Sequence, residues 1–242
     1  MAEETEIQKD KKKIRREIIQ ELIRKKRKTA AKIGIFLILT LIISSITVFV
    51  GKTKSKDRSQ TAALANIITP TDWTKGAETQ AVEIVTYSNF KCQDCAALYP
   101  ILKQFETEFQ SKIKITHRNF FEENDGTAFL AAKAAEAAGL QSKFWEMHDL
   151  IFENQKILTE TEEPNNLLIT LASKLSLNLD QFRSDLEKEE IVNKIKRDIE
   201  IGFQANVKKT PTLFINNTKL EGAKTYDELK MVIEKALQDK AK

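Results

Sequence analysis

The sequence predicts a mixed α/β layer domain in which a long helical segment interrupts a small sheet. Strand-like runs lie at Val82–Tyr87 and Lys112–Arg118, and two more follow far downstream at Thr212–Asn216 and Thr218–Glu221. Between these pairs lie about 80 residues of helix-periodic sequence. An insertion of that length is tolerated because closure entropy rises only logarithmically with loop length.

The chain opens with a tail, residues 1–32, that carries 12 of the 39 basic and 6 of the 35 acidic residues. The remainder then holds 27 basic against 29 acidic residues, so the overall charge of +4 is a property of the tail. Nothing in the folded part suggests a nucleic-acid surface. Within the tail, Ile7, Ile14, Ile18, Ile19, Leu22 and Ile23 among many Lys and Arg fit either a basic amphipathic helix on the inner leaflet or a plain topogenic cluster. Ile33–Val50 is uncharged and, with Ala30 and Ala31 nearby, approaches the roughly 20 residues that cross a bilayer core. Nine basic residues in Lys13–Lys32 against four in Lys52–Arg58 place the N-terminus in the cytoplasm and the C-terminal domain outside. A cleaved signal peptide is the alternative, but the apolar run exceeds an h-region of roughly 7 to 15 residues. Ala63-Leu64-Ala65 also lies far downstream for a cleavage site. Residues 33–50 are therefore read as a signal-anchor in the lipid bilayer of the cytoplasmic (inner) membrane. Residues 51–71, rich in Lys, Ser, Thr and Gln, are read as a stalk, and 72–242 as the globular domain with its helical insertion at about 127–205.

Inside that domain, the strand Val82–Tyr87 leads into a helix from about Cys92 to Phe109, bent where Pro100 removes a hydrogen bond. In Lys112–Arg118, Ile113 and Ile115 alternate with Lys112, Lys114 and Thr116. The helical stretch divides into Thr127–Ala138 stopped by Gly139, Lys143–Asn154, Pro164–Leu175, Asp180–Leu186 and Glu189–Gln204. A turn at Asn216-Asn217 joins the last strands. A capping box of Thr225 and Glu228 then opens the final helix, Tyr226 to about Gln238.

Cys92 and Cys95 are the only cysteines, spaced as Cys92-Gln93-Asp94-Cys95 at the start of a helix. There the unpaired N–H groups and the helix dipole favour a thiolate at Cys92. Thiol exchange needs a thiolate, an electrophilic sulfur and a second thiol to resolve the mixed disulfide, and this spacing supplies them within one turn. Half a zinc site is the alternative. It would want two more ligands, and the only histidines, His117 at a strand end and His148 within a helix, do not form a close ligand pair. Both read as packing or hydrogen-bonded histidines. Neither an acyl-transfer constellation nor a phosphate-binding glycine loop occurs, so no metal and no cofactor is expected. Beside the sulfur, Asp94 meets the helix dipole favourably, yet its negative charge disfavours a thiolate and partly offsets the helix and Lys91. Far downstream, the bond before Pro211 precedes a β-rich run, a place for a cis proline facing the dithiol. Thr210 either hydrogen-bonds near the sulfurs or simply favours the extended geometry that precedes proline.

Tyr87-Ser-Asn-Phe-Lys-Cys-Gln-Asp-Cys95, His117-Arg-Asn-Phe120, Phe144-Trp-Glu-Met-His-Asp149 and Thr210-Pro-Thr-Leu-Phe-Ile-Asn216 together resemble the DsbA-like branch of the thioredoxin superfamily. The resemblance runs from about Asp72 to Leu237. It implies a thioredoxin fold with an inserted all-helical subdomain, thiol:disulfide oxidoreductase activity and a cis bond before Pro211. By that match Cys92 is the nucleophile, Cys95 the resolving cysteine, and Thr210-Pro211 the loop on which substrate backbone docks. The chain departs from the pattern at Gln93 and Asp94, where this branch often has Pro and a His or aromatic residue, and at Thr86, where thioredoxin-like proteins commonly bury an acid. Those substitutions make Lys91, Gln93 and Asp94 the expected tuners of the redox-active centre. Compartment and family together imply exported proteins with cysteine pairs as substrates and a membrane redox partner, either a quinone-linked reoxidant or a reductant. A reductase or isomerase of the same compartment, or a membrane-tethered peptide-binding module with a static disulfide, remain the alternatives.

Overall fold

The computed structural model describes residues 68–240, apart from 80–81, 123, 217 and 223. The tail 1–32, the anchor 33–50 and nearly all of the stalk lie outside the described residues. Among the described residues no helix is long and apolar enough to cross a membrane.

The sheet has five strands, β1 (Trp73–Gly76), β2 (Val82–Ser88), β3 (Ile113–Asn119), β4 (Thr212–Ile215) and β5 (Thr218–Glu221), in the order β1-β3-β2-β4-β5. β2 and β3 are parallel, with Val82 opposite Ile113 and Ser88 opposite Asn119. β1 runs antiparallel to β3, and β4 antiparallel to both β2 and β5. Central β2 is buried at every position but Glu83, which accounts for its near-continuous apolar run. Strand β1 has no counterpart among the strands read from the sequence. It is short and lies at the sheet edge. Gly76 ends it at φ +98, where a Cβ would stand 2.4 Å from the Ile113 carbonyl oxygen.

The helices are α1 (Gln93–Phe109), α2 (Gly126–Leu140), α3 (Phe144–Glu153), α4 (Gln155–Glu160), α5 (Pro164–Lys174), α6 (Leu179–Asp185), α7 (Glu189–Gln204) and α8 (Tyr226–Lys240). Helices α2 to α7 form the insertion, close to the expected 127–205. The capping box of α8 is present, with Glu228 accepting from the Thr225 amide at 2.8 Å and Thr225 Oγ1 accepting from the Glu228 amide at 3.3 Å. Gly139 does not stop α2. The helix runs through it, and the residue is a packing glycine whose Cβ would lie 2.3 Å from the Trp73 ring. The left-handed position beyond the helix falls to Ser142, φ 62. The short helix α4, also unforeseen, follows α3 after the single residue Asn154.

Three apolar clusters hold the domain. One lies on one sheet face under α1 and α8, with Val82, Ile84, Phe105, Ile113, Leu213 and Ile233. A second fills the helical insertion, and a smaller third packs Tyr87 and Phe214 with Phe120 and Val207. Between sheet and insertion runs a buried polar seam. Arg118 donates to Asp72 through Nε (3.1 Å) and Nη2 (2.8 Å) and to the Tyr87 hydroxyl through Nη1 (2.9 Å). Burial works against the Asp72 carboxylate, but Arg118 outweighs it and holds its pKa below the usual range. Beside this pair, Lys194 of α7 bridges Asp198 at 2.8 Å and Glu136 of α2 at 3.2 Å, and Trp73 Nε1 donates to Glu136 at 2.6 Å.

Candidate active site

The turn between β2 and α1 sets the first cysteine. Asn89 accepts from the Lys91 amide through Oδ1 (2.8 Å) and from the Cys92 amide through its carbonyl (2.9 Å). Phe90, 1% exposed, pins the turn by packing against His117 and Phe152. Cys92 then stands as the N-cap of α1 in extended geometry (φ −75, ψ 119), and its sulfur accepts from the Cys95 amide at 3.4 Å. The residue whose chemistry matters is thus also the residue that starts the helix.

The two sulfurs have opposite surroundings. Cys92 is half-buried; the Cys95 thiol hydrogen-bonds to it and, with the Thr210 side chain and the amides of Cys95 and Asp94, outweighs partial burial and lowers its pKa from 9.0 to about 6. Cys95 is 2% exposed, and burial first, then the Cys92 contact, push its pKa far above the ordinary thiol value despite a hydrogen bond with Ser88. At neutral pH this is one thiolate beside one thiol, the asymmetry that separates an attacking sulfur from a reserve one.

Across from the dithiol, the Thr210–Pro211 bond is cis, and the Thr210 carbonyl oxygen stands 3.4 Å from Cys92 Sγ across 118 residues of sequence, where it accepts from that sulfur in its thiol form. The Thr210 side chain also hydrogen-bonds to Cys92 and favours its thiolate. Lys91 sits in an ion pair with Asp125 at 2.9 Å, an engagement away from the sulfur that the sequence did not foretell. Gln93 and Asp94 are exposed, and what Asp94 brings to Cys92 is its backbone N–H. An open groove of about 1160 Å³ runs from Lys91 and Thr210 past Phe121, Phe203 and Lys208.

His148 lies within a helix and both histidines are buried packing residues, as expected, but the two rings meet. His117 lies within β3, fully buried, and its ring is 4.9 Å from that of His148 on α3, because α3 lays Phe144 and His148 across the sheet. Together with Thr86, Ser88 and Cys95 they line a small cavity of about 20 Å³ behind the dithiol. The sequence did carry a signal for this. His117 occupies the inward parity of β3, two residues beyond Ile115. Among the described residues no group of three or more His, Cys, Asp or Glu side chains converges to hold a metal ion.

The family model described as Thioredoxin matches residues 68–235, most of the chain and the whole of this site. The chain belongs to the thioredoxin family. Within the family it is 27% identical over 171 residues to disulfide bond formation protein D of Bacillus subtilis, covering 68% of this chain and 77% of that one. It is 31% identical over 166 residues to the Na(+)/H(+) antiporter NhaA 1 of Salinispora arenicola, covering 68% of this chain. The chain spans only 24% of that antiporter's length. Among solved structures, oxidised BdbD of Bacillus subtilis superposes with a TM-score of 0.61 at 25% identity, over 69% of this chain and 94% of that one. The thiol-disulfide exchange protein alpha-DsbA2 of Wolbachia pipientis shares the fold, with a TM-score of 0.66 at 19% identity over 76% and 96% of the two chains.

Proposed function

We propose that this thioredoxin-family chain is an extracytoplasmic thiol:disulfide oxidoreductase that forms disulfides in exported proteins. One observation carries the reading: the sulfur open to solvent, Cys92, has its pKa brought down to about 6, while its neighbour is a buried thiol. A stabilised thiolate favours the reduced pair, so the Cys92–Cys95 disulfide is a strong oxidant. In the forward reaction a substrate thiolate attacks Cys92 Sγ, the Cys92–Cys95 bond breaks, and Cys95 leaves and takes up a proton. A second substrate thiolate then attacks the substrate sulfur of the mixed disulfide and expels Cys92 as a thiolate, a good leaving group at its low pKa. Two electrons have passed from substrate to enzyme. The Thr210-Pro211 loop and the adjoining groove receive an extended substrate segment as a short strand addition. The names of the Bacillus and Wolbachia relatives, disulfide bond formation and thiol-disulfide exchange, support the same chemistry.

Location follows the same reading. Ile33–Val50 anchors the chain once in the cytoplasmic membrane, N-terminus inside, so that the domain faces the periplasm or its equivalent, where a quinone-linked membrane protein reoxidises it. Titration of the full chain against glutathione buffers tests the direction. A potential above about −200 mV is expected, and a value near about −270 mV would assign the protein to a reductase role. In cells, Cys95→Ser should trap mixed disulfides with exported proteins; no trapped species would favour a peptide-binding module with a static disulfide.

A further inference from the structure

Cys95 has to lose its proton each time it resolves a mixed disulfide on Cys92, yet at 2% exposure it has no direct path to solvent. Behind it lies the 20 Å³ cavity, about the space that one water needs. Two side chains lining that cavity, Thr86 and His117, face each other across the β2–β3 pairing and are 4% and 0% exposed. Among the described residues Thr86 Oγ1 and His117 Nδ1 have no hydrogen-bond partner in the protein, a costly state for buried polar atoms that a shared water relieves.

The tautomer of His117 is decided by its neighbour. Asn119 Nδ2 donates to Glu136 at 3.2 Å and to Asp198 at 3.2 Å, which turns Asn119 Oδ1 toward His117 Nε2, 3.4 Å away. An oxygen there accepts only, so Nε2 carries the hydrogen and Nδ1 keeps its lone pair. We propose that the lone pair of His117 Nδ1 is the proton acceptor for the Cys95 thiol, reached through one water held between Thr86, His117 and Cys95. The inference rests on the exchange chemistry proposed above and names the group that takes the Cys95 proton when the reduced pair is reoxidised through a mixed disulfide on Cys92.

The step balances as follows. The Cys95 S–H proton passes through the water to His117 Nδ1, and the Cys95 thiolate attacks Cys92 Sγ of the Cys92–S–S–R mixed disulfide. The Cys92–Cys95 bond forms, the Cys92–S–R bond breaks, R–S⁻ departs with the electron pair, and the imidazolium returns its proton through the same water to solvent or to R–S⁻. The surroundings favour a transient stay. Burial first, then His148 on α3, Lys194 on α7 and Lys75 on β1, disfavour a lasting cation on His117, while Asn119 supports it; Glu136 and Asp198 lie beyond Asn119. Burial likewise keeps His148 neutral against the pull of Asp149.

The reduced full chain mixed with oxidised glutathione and quenched in acid separates the two steps by mass. Formation of the Cys92–glutathione adduct reports on Cys92, and its decay to the intramolecular disulfide reports on Cys95. In His117→Gln the adduct should form at the wild-type rate and decay at least tenfold more slowly at pH 7, with a rate rising about tenfold per pH unit as hydroxide takes over. Thr86→Val should slow the decay several-fold and leave adduct formation unchanged. Wild-type decay in a folded His117→Gln protein, or in Thr86→Val, overturns the proposal. Absence of both the adduct and the intramolecular disulfide in the wild type would overturn the exchange reading instead. Should His117→Gln fail to fold, nitrogen NMR of the wild-type imidazole still decides: a hydrogen on Nε2 is required, and one on Nδ1 refutes the relay.

Discussion

Along β2 and β3, Val82 pairs with Ile113 and Ile84 with Ile115, while at the other end of the same face Thr86 pairs with His117 and Ser88 with Asn119. All eight are nearly fully buried. The apolar end is closed by Phe105 and Phe109 of α1 and by Leu229 and Ile233 of α8, whereas the polar end lies under the first turn of α1, where Cys95 sits. Equal burial therefore serves two purposes. One end excludes water and contributes stability in proportion to its apolar area. The other end keeps hydroxyl, imidazole and amide groups out of water, at a cost in stability, where a sulfur must be handled.

The sharpest way to break this contrast lies where the polar end meets the insertion. Lys194→Met removes the cation between Glu136 and Asp198 and should destabilise the domain by about 3–5 kcal/mol at pH 7, read by urea unfolding. Burial already raises the pKa of both carboxyls. A carboxyl whose folded pKa lies above its unfolded one stabilises the fold when protonated, so the deficit should shrink as pH falls from 7 and grow as it rises. At the apolar end, Ile115→Ala should cost about 2–5 kcal/mol while leaving the redox potential unchanged. A potential that moved with it would mean that the two ends are coupled. Next in size is an effect of pH on the potential itself. Below pH 6 the reduced pair holds two protons, and the potential should fall by about 59 mV per unit of rising pH; above pH 6, with Cys92 ionised, by about 30 mV. Glutathione titrations across pH 5 to 8 would locate the break, and a single slope throughout would contradict the lowered Cys92 pKa. The smallest change is expected from Thr86→Val, which deletes an unpartnered buried hydroxyl and should alter stability by less than about 1 kcal/mol in either direction.

What the sequence reveals, and what it conceals, follows the same division. Strands β2, β3 and β5, helix α7 and the capping box of α8 rest on local periodicity and local chemistry, and their places agree with the sequence to within a residue or two. Strand β1 is four residues at an edge, alternately half-buried and exposed, too short for a period-two pattern to stand out. Gly139 illustrates a different limit, because a glycine that ends a helix and a glycine that admits a tryptophan ring are the same letter. The Cys-x-x-Cys pair and Thr210-Pro211 were legible because their chemistry is concentrated in a few adjacent residues. The His117–His148 contact and the Lys194 seam join β3, α2, α3 and α7, so only the tertiary arrangement brings them together. Lys194 and Asp198 did leave a trace, as charged residues on the same buried side of α7 as Ile191, Ile195 and Ile199.

The insertion between β3 and β4 also orders events during synthesis. Cys92 emerges from the ribosome 118 residues ahead of Thr210, whose hydroxyl and carbonyl meet its sulfur, and the seven helices α1 to α7 must pass before that meeting. For that interval the nascent dithiol lacks one of the contacts that sharpen its reactivity. A chain that stalls part-way therefore presents Cys92 without the contact that Thr210 supplies.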